Sequence, residues 1–447
     1  MMELKTYFHL GRRISKDLVF SGLNQMWRIL SGPVTLVMIP LFLTPELQGY
    51  WYTIVGLSFL MVFADLGFSN IILQFAAHEF AYLKFDKDWK IYGEEEHLKK
   101  LASFFVFSLK WTIFVMILAI PLISAVSLFI LARKTTEIHW FLPWLVYLVA
   151  SLFVFFNNIF LCFFEGCDLV WISQRIRLGI SILTSLIMWG GLVLRLDLYA
   201  LALSLLVGSI TNSVVIYYTF KRTIRQFFDI SRFYHYSWGK HFFPLLWRYA
   251  ISWASGYFIF QLYTPLMFYY HGSIEAGKVG ISIALWTAVH SISSVWITVV
   301  MPKINIHISR KERDVLDRMF IKRLFLSILT FLMGTAVFFM LFLLLKNRFF
   351  ILNRFADETS MFFLACAWFF QTIINSLAVY LRAHKEEPLV IPSFLSAVYI
   401  TTATIFCAKY LPPYLFFLGF LSSYLWVFPW VLIIFMKKQR EMANACK

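Results

Sequence analysis

The stretch LASFFVFSLKWTIFVMILAIPLISAVSLFIL, residues 101–131, decides the fold class. It carries one cation and no carboxylate, and about 20 apolar residues suffice for a helix to cross a hydrocarbon core about 30 Å thick. Such long runs lack the alternation of a membrane β-barrel. The sequence therefore predicts an all-α polytopic membrane protein with about twelve transmembrane helices. The candidate spans are 18–43, 49–77, 101–131, 140–164, 174–194, 197–220, 242–270, 277–301, 324–345, 359–381, 388–409 and 413–436.

The composition agrees, because 60% of the 447 residues are hydrophobic and only 14% are charged. If the N-terminus is inside, 29 of the 40 basic residues lie in inner segments and 8 in outer ones. Basic residues accumulate on the cytoplasmic side of membrane spans. We therefore expect both termini in the cytoplasm. This bias explains much of the +16 net charge, so nucleic acid is not an expected partner.

The N-terminal segment MMELKTYFHLGRRISKDL, residues 1–18, lacks a continuous apolar core and a cleavage pattern. We interpret it as an interfacial helix and not as a signal peptide. The longest predicted connections, about 78–100, 221–241 and 302–323, are all cytoplasmic. No outer domain is expected.

Enzyme motifs are nearly absent from the sequence. It has no G-x-x-x-x-G-K-[ST] loop for nucleotide phosphates. The segment HEFAY at His78 lacks the second histidine of a zinc-protease helix. The DKD at residues 86–88 is better explained by a solvated charged loop than by a metal-nucleotide site. We expect no enzyme, no cofactor and no metal.

The two halves of the chain resemble one another. Glu46 precedes Gly49 at the start of one apolar helix, and Glu275 precedes Gly277 at the start of another. Transporters are often built from such repeats. We therefore expect two lobes of six helices. The predicted parts are an N-lobe at 1–220 with the interfacial helix and spans 1–6, a basic cytoplasmic linker at 221–241, and a C-lobe at 242–447 with spans 7–12 and a short basic tail.

Several segments resemble one family of transporters. They are PELQGYW at 45–51, FADLGFSN at 63–70, FEGCDLVWISQRIRL at 164–178 and YLRAHKEEPLVIPSF at 380–394. The chain resembles the exporters of the multidrug/oligosaccharidyl-lipid/polysaccharide superfamily, especially O-antigen-type flippases, over nearly its whole length. This resemblance implies a V-shaped, two-lobed bundle in the bacterial inner membrane. It implies alternating access that moves an undecaprenyl-linked glycan outward. Membrane lipids, and as a further option other polysaccharide-assembly proteins, are the expected partners.

Two arginines lie inside predicted spans, each after a tryptophan: Arg28 in NQMWRIL and Arg248 in PLLWRYAISW. Arg28 is about 15 Å into its span and Arg248 about 9 Å, at 1.5 Å per residue. A lipid-facing arginine at the bilayer centre costs roughly 2.5–3.5 kcal/mol, so such charges usually face a cavity or a partner. Guanidinium also suits bidentate phosphate contacts. We predict that both bind the anionic head group, although a structural ion pair or snorkelling to the interface remains open.

Other polar residues in the spans have weaker assignments. Asn24 shares a helix face with Arg28 and is its predicted companion at the substrate site. Lys110 is a further candidate cation, with snorkelling as its alternative. Asp65 could cap a helix, pair with Arg28, or carry a coupling proton, and structural pairing is the favoured interpretation.

Features of the second half are interpreted mainly as structural. Gln261, His290, Gln371 and Asn375 line its predicted inner side, with helix–helix hydrogen bonding as their main expected role. SGPV at 31–34 and Pro265 are expected to interrupt their helices.

Three classes of function follow from these observations. A lipid-linked glycan flippase explains the arginines and the resemblance. A multidrug or cation antiporter of the same superfamily would favour acidic residues in the cavity, and here only Asp65 lies well inside a span. A membrane glycan polymerase would need a large outer loop, which the sequence lacks.

Overall fold

The computed structural model describes residues 2–133, 137–234, 236–309, 312–346, 348–384 and 387–445. Within them, the side chains of 2–15, 241, 245, 248, 302, 305–306, 309, 313 and 442–445 lie outside the description. The first half contains α1 (Met2–Phe42), α2 (Pro45–Ser58), α3 (Val62–Asp65), α4 (Phe68–Phe80), β1 (Leu83–Phe85), β2 (Ile91–Gly93), α5 (Glu95–Leu131), α6 (Phe141–Gly166), α7 (Val170–Val193) and α8 (Leu198–Ser231). The second contains α9 (Gly239–Phe260), α10 (Tyr263–His271), α11 (Ser273–Thr298), α12 (Met301–Ser309), α13 (Arg313–Leu345), α14 (Glu358–Arg382), α15 (Val390–Tyr410) and α16 (Leu418–Ala445).

The all-α prediction is confirmed, and the antiparallel hairpin β1–β2 is the one sheet in the described part of the chain. Ten helical segments of the described residues are long and apolar enough to cross a membrane, and they overlap ten of the twelve predicted spans. The other two predicted spans, 18–43 and 242–270, correspond to α1 and to α9 with α10. These are the spans that carry Arg28 and Arg248, whose charge lowers their mean hydropathy. The protein is a multi-pass membrane protein.

The chain forms two compact units whose borders differ from the predicted lobes. Unit 1 contains 1–38 and 57–254, and unit 2 contains 39–56 and 255–447. The predicted linker 221–241 is not a separate segment, because α8 continues to Ser231. Phe220, Thr223 and Phe227 recur at helical spacing and are buried. Packing therefore extends α8 through the first half of this linker.

The N-terminal segment is continuous with the first predicted span. Residues 2–17 are the first turns of α1, which runs unbroken to Phe42, and their place at the membrane interface stays a prediction. The predicted break at SGPV is absent. Pro33 removes one N–H donor, and the Thr35 hydroxyl donates to the Ser31 carbonyl oxygen at 2.9 Å across the same turn. The expected break near Pro265 is present, between α9 and α10.

A different span is broken. Between α3 and α4 the backbone turns through the left-handed region at Leu66, φ 46°, and Gly67, φ 79°. A Cβ at Gly67 would lie 2.7 Å from the Cβ of Tyr249 and 2.9 Å from the Trp253 ring. Glycine is therefore required there by its backbone conformation and by the approach of α9.

Aromatic side chains fill the core of unit 1. Phe104, Phe105, Phe163, Phe164 and Phe220 are all buried. The rings of Phe164 and Phe220 stack at 3.7 Å between centroids. These contacts join α5, α6 and α8.

In unit 2, the matched glycines of the two sequence halves lie against each other. A Cβ on Gly49 would lie 1.9 Å from the carbonyl oxygen of Ser273, and one on Gly277 would lie 3.0 Å from the backbone nitrogen of Gly49. The Gln48 amide donates to the Gly277 carbonyl oxygen at 2.9 Å. The first turns of α2 and α11 therefore meet backbone to backbone, which larger residues would prevent.

Candidate functional site

Helix α1 separates an apolar face from a polar one. Leu23, Met26, Leu30, Val34, Val37 and Leu41 form an exposed apolar stripe that suits lipid. Arg28 is also exposed, but it lies two residues from Leu30 and so about 200° away around the helix. One turn further on, a Cβ added to Gly32 would meet no atom within 4 Å. Arg28 therefore points away from the apolar stripe and has open space beside it.

The predicted pairing of Asp65 with Arg28 is not present. Asp65 Oδ1 instead accepts hydrogen bonds from the Ser69 backbone nitrogen at 3.0 Å and from the Ser69 hydroxyl at 2.6 Å. Its carboxylate thus caps the first turn of α4, which the break at Gly67 leaves without intrahelical partners. Among the side chains that the structure describes, none forms an ion pair with Arg28.

A polar network holds α1 in place. Asn24 donates to Gln174 Oε1 at 3.0 Å, and Gln174 donates to Glu165 Oε1 at 3.2 Å. The same Glu165 oxygen accepts from Arg177 Nε at 3.2 Å. Asn24 thereby fixes α1 to α7 one turn before Arg28. This contact is a structural role for Asn24, and its contact with substrate stays a prediction.

The network continues across unit 1. Arg177 Nη1 donates to Asn158 Oδ1 at 2.9 Å, and the Asn158 amide donates to the Ser69 hydroxyl at 3.2 Å. Since Ser69 bonds Asp65, hydrogen bonds run without interruption from α1 through α7, α6 and α4 to α3. The polar groups of this network satisfy one another's hydrogen-bonding needs among apolar side chains.

Glu165 and Arg177 were missed as site residues in the sequence. They lie within FEGCDLVWISQRIRL, whose arginines were counted as inner-loop charges. The Glu165 side chain is only 12% exposed. An acid and a base flanking the short connection between two apolar helices were the available signal, because opposite charges there can face each other.

Lys110 lies in a different environment from Arg28. It is exposed on α5, and Phe114 and Ile117, at the i+4 and i+7 positions of the same face, are exposed apolar residues. This placement favours snorkelling along a lipid-facing stripe. It does not support Lys110 as a substrate ligand.

Arg248 lies in α9, but its side chain is outside the described part of the chain. Its neighbour Tyr249 accepts a hydrogen bond from the Gln74 amide at 3.2 Å. The first half of α9 therefore packs on α4 within unit 1. The role of Arg248 stays a prediction.

The polar residues predicted in the second half join helices within unit 2. His290 Nδ1 bonds the Thr372 hydroxyl at 2.9 Å, and the Asn375 amide bonds His290 Nε2 at 3.0 Å. Gln371 donates to Asn375 Oδ1 at 2.9 Å and accepts from the Tyr424 hydroxyl at 2.8 Å. The expected helix–helix hydrogen bonding is thus confirmed for these three predicted residues. Gln261 lies in the break between α9 and α10.

No cluster of three or more His, Cys, Asp or Glu side chains with metal-binding geometry occurs among the described residues. The candidate site of unit 1 is the exposed guanidinium of Arg28. It lies on a helix that hydrogen bonds and ring contacts hold in position. Phe20 contacts Trp171, and Trp189 donates to the Thr35 hydroxyl at 2.9 Å. A charge without a counter-ion on such a helix can bind an anion without reorganisation.

Comparison with known proteins finds similarity in structure alone. No family model matches the chain, and no curated protein matches its sequence. An inward-facing MATE family multidrug transporter of the MOP superfamily aligns with a TM-score of 0.58 and 11% identity over 95% of this chain and 96% of that one. The lipid II flippase MurJ, in an inward closed conformation, aligns with a TM-score of 0.62 and 14% identity over 93% and 86%. The MATE multidrug transporter DinF-BH aligns with a TM-score of 0.58 and 11% identity over 95% of each chain. The chain has the fold of these transporters.

Proposed function

We propose that the protein is a transporter of the MOP type that moves an undecaprenyl-(di)phosphate-linked oligosaccharide from the cytoplasmic to the outer face of a bacterial inner membrane. The substrate would be accessible from one face at a time, as in alternating access. Such a lipid presents negative phosphates, a polar glycan and a long apolar tail. It needs a cationic group within the membrane for the phosphates.

The observation that carries this proposal is the position of Arg28. Its guanidinium is exposed on the side of α1 opposite the apolar stripe, and no described carboxylate pairs with it. A guanidinium can hold two phosphate oxygens at once. A charge that only stabilised the fold would be expected to have a partner, as Arg177 has in Glu165.

Transport of organic cations is the second candidate, since two of the similar structures are multidrug transporters. A cation site needs an available carboxylate inside the membrane. In unit 1, Asp65 bonds Ser69 and Glu165 bonds Arg177. The pairing of Glu165 with Arg177 neutralises one of these carboxylates, and together with the unpaired Arg28 this favours an anionic substrate over a cationic one.

The test compares two span cations in liposomes that contain the purified protein and a fluorescent undecaprenyl diphosphate glycan. Arg28→Ala should lower translocation at least about tenfold, because removing a charged hydrogen bond costs about 1.5–3 kcal/mol. Arg28→Lys keeps the charge but loses the planar fork, so its activity should be intermediate. Lys110→Ala is the matched control and should transport like the unchanged protein, because Lys110 lies among lipid-facing side chains.

Abundance and folding must be measured with transport, and Arg28→Ala should insert normally since it removes a charge from the membrane. A well-folded Arg28→Ala protein with full glycan transport would refute the role of Arg28. If the protein transports a cationic dye across the liposome membrane but does not transport the glycan, the multidrug candidate is favoured instead. The sequence has no nucleotide motif, so transport should proceed without ATP.

A further inference from the structure

Helix α8 is longer than a membrane span. Its 34 residues extend about 51 Å at 1.5 Å per residue, whereas a hydrocarbon core is about 30 Å thick. Counted from Leu198, about 20 residues fill the core, and the helix leaves it near Tyr217 and Tyr218. Both tyrosines are exposed, Tyr218 by 66%. Exposed tyrosines are typical of the membrane interface.

The hairpin β1–β2 is fixed against the projecting end of α8. The Gln226 side chain accepts from the Ile91 backbone nitrogen at 2.8 Å and donates to the Ile91 carbonyl oxygen at 2.6 Å, as a neighbouring strand would. The Thr223 hydroxyl donates to the Trp89 carbonyl oxygen at 2.6 Å. Arg222 pairs with Asp88. These contacts make the hairpin and helix one wall.

A cavity of about 1160 Å³ is lined by the end of α8, from Tyr217 to Arg232, and by Asp88 and Lys90 of the hairpin. We call it the basic groove. Its lining contains five cations, Lys90, Lys221, Arg222, Arg225 and Arg232. It contains two carboxylates, Asp88 and Asp229, and Arg222 already pairs with the first. The groove therefore has an excess of positive charge.

Three of these cations are available for a ligand. Lys90, Arg225 and Arg232 are exposed, and no carboxylate pairs with the charged group of any of them in the part of the chain that the structure describes. Lys221 lies at the membrane side of the groove, with its ammonium 5.7 Å from the Tyr218 ring centroid. Cations thus reach from the interface to the end of the helix.

We propose that the basic groove binds the phosphate-bearing head group of an anionic membrane lipid. Basic pockets next to the membrane commonly hold such head groups, and each Lys or Arg near the surface strengthens the attraction. Phe228 in the groove wall and Phe233 close by are exposed, the latter by 91%. Apolar side chains beside the cations suit a ligand that has acyl chains. A soluble diphosphate would leave these side chains in water.

The groove shares no residue with the Arg28 site, so this proposal does not rest on the proposed function. The test uses the full-length protein in detergent and measures the dissociation constants of short-chain phosphatidylglycerol, phosphatidylcholine and inorganic diphosphate. The triple variant Lys90→Gln/Arg225→Gln/Arg232→Gln should bind phosphatidylglycerol on the order of a hundredfold more weakly at low salt. Its affinity for phosphatidylcholine should not change. Arg222 is kept because it docks the hairpin.

A matched control removes three exposed cations elsewhere, in the triple variant Lys322→Gln/Lys437→Gln/Arg440→Gln. It should keep the affinity of the unchanged protein for phosphatidylglycerol, which separates a site from a general effect of net charge. The thermal unfolding midpoints of both triple variants should match that of the unchanged protein.

Three results would overturn the proposal. The first is an unchanged affinity of the groove variant for phosphatidylglycerol. The second is an equal loss in the control variant. The third is inorganic diphosphate that binds as tightly as phosphatidylglycerol, which would assign the groove to a soluble phosphate compound.

Discussion

Arg28 and Arg177 are both guanidinium groups within membrane-spanning helices, yet their surroundings give them different tasks. Arg177 is held by Glu165 and Asn158. Arg28 has no ion-pair partner among the described side chains. A paired guanidinium has little capacity left for a ligand, whereas an unpaired one retains its five donors. The local partners, and not the residue type, distinguish a binding group from a structural one.

Substitutions of Asp65 test whether its carboxylate caps α4. Asp65→Asn retains an oxygen acceptor for Ser69, so the variant should fold and transport normally if capping is its function. Asp65→Ala should lower the free energy of unfolding by about 1 kcal/mol. The free energy of unfolding in detergent and translocation in liposomes are the two measurements.

A folded Asp65→Asn protein without transport would show that Asp65 carries a coupling proton. The pairing hypothesis makes another prediction, namely that adding Asp65→Asn to Arg28→Ala restores transport. The structure lacks that ion pair, so we expect the double variant to be as inactive as Arg28→Ala alone.

Part of the site is predictable from sequence at this scale. Helical periodicity alone places Arg28 opposite Leu30, so its separation from the apolar stripe follows from their spacing. The partner of Asp65 does not follow in the same way. It depends on a left-handed turn at Leu66 and Gly67, which brings Ser69 back to the carboxylate. The span 49–77 was predicted as continuous, and nothing in its apolar pattern indicates where the helix breaks.

Among the elements, the crossing of α2 and α11 imposes the tightest steric demand. Gly49→Ala would place a Cβ 1.9 Å from the Ser273 carbonyl oxygen, and overpacking of this kind typically costs about 1–3 kcal/mol. We expect a lower thermal unfolding midpoint for the purified variant.

Gly179→Ala is the control for this substitution. A Cβ there would meet nothing within 4 Å, and Ala is favoured over Gly inside a helix by about 1 kcal/mol. The control should therefore unfold at the same temperature as the unchanged protein or slightly above it. If both variants behave alike, the close approach of α2 and α11 does not contribute to stability.

The elements themselves were largely predictable, since long apolar runs fix where ten spans lie. The sequence also related Gly49 to Gly277 as matched positions of two halves. It could not show that these glycines touch, because their contact is a property of tertiary packing. The expected break at SGPV is absent, and α1 is bonded to α7 on both sides of Pro33, through Asn24 and through Thr35.

At the scale of the whole molecule, the chain passes between the two units three times, after residues 38, 56 and 254. A boundary drawn at 221–241 from charge and loop length therefore separates residues that pack together. The first half of α9 belongs to unit 1, and residues 39–56 belong to unit 2. Periodicity and charge in the sequence show where helices and loops lie. They do not show which helices pack in the same core.

Each half of the chain thus contributes a segment to the unit formed mainly by the other half. This exchange of segments predicts how the protein behaves when the chain is cut. Fragments 1–234 and 235–447, expressed together, should associate, because each carries a segment that packs within the other's unit. Fragment 1–234 alone lacks Tyr249 against Gly67 and Ser273 against Gly49, so it should be degraded several-fold faster. Pulse-chase labelling with co-purification would measure both. Equal lifetimes of the fragment alone and with its partner would contradict the exchange.

The same contact between α2 and α11 can form only late in the synthesis of the chain. Gln48 bonds the carbonyl of a residue that follows 229 positions later. At a translation rate of about 5–20 residues per second, the ribosome reaches that residue roughly 10 to 50 seconds after it has made Gln48. During this interval the first hairpin of the nascent chain is in the bilayer with its glycine face uncovered. Lipid or the insertion machinery has to shield that face until the second half arrives.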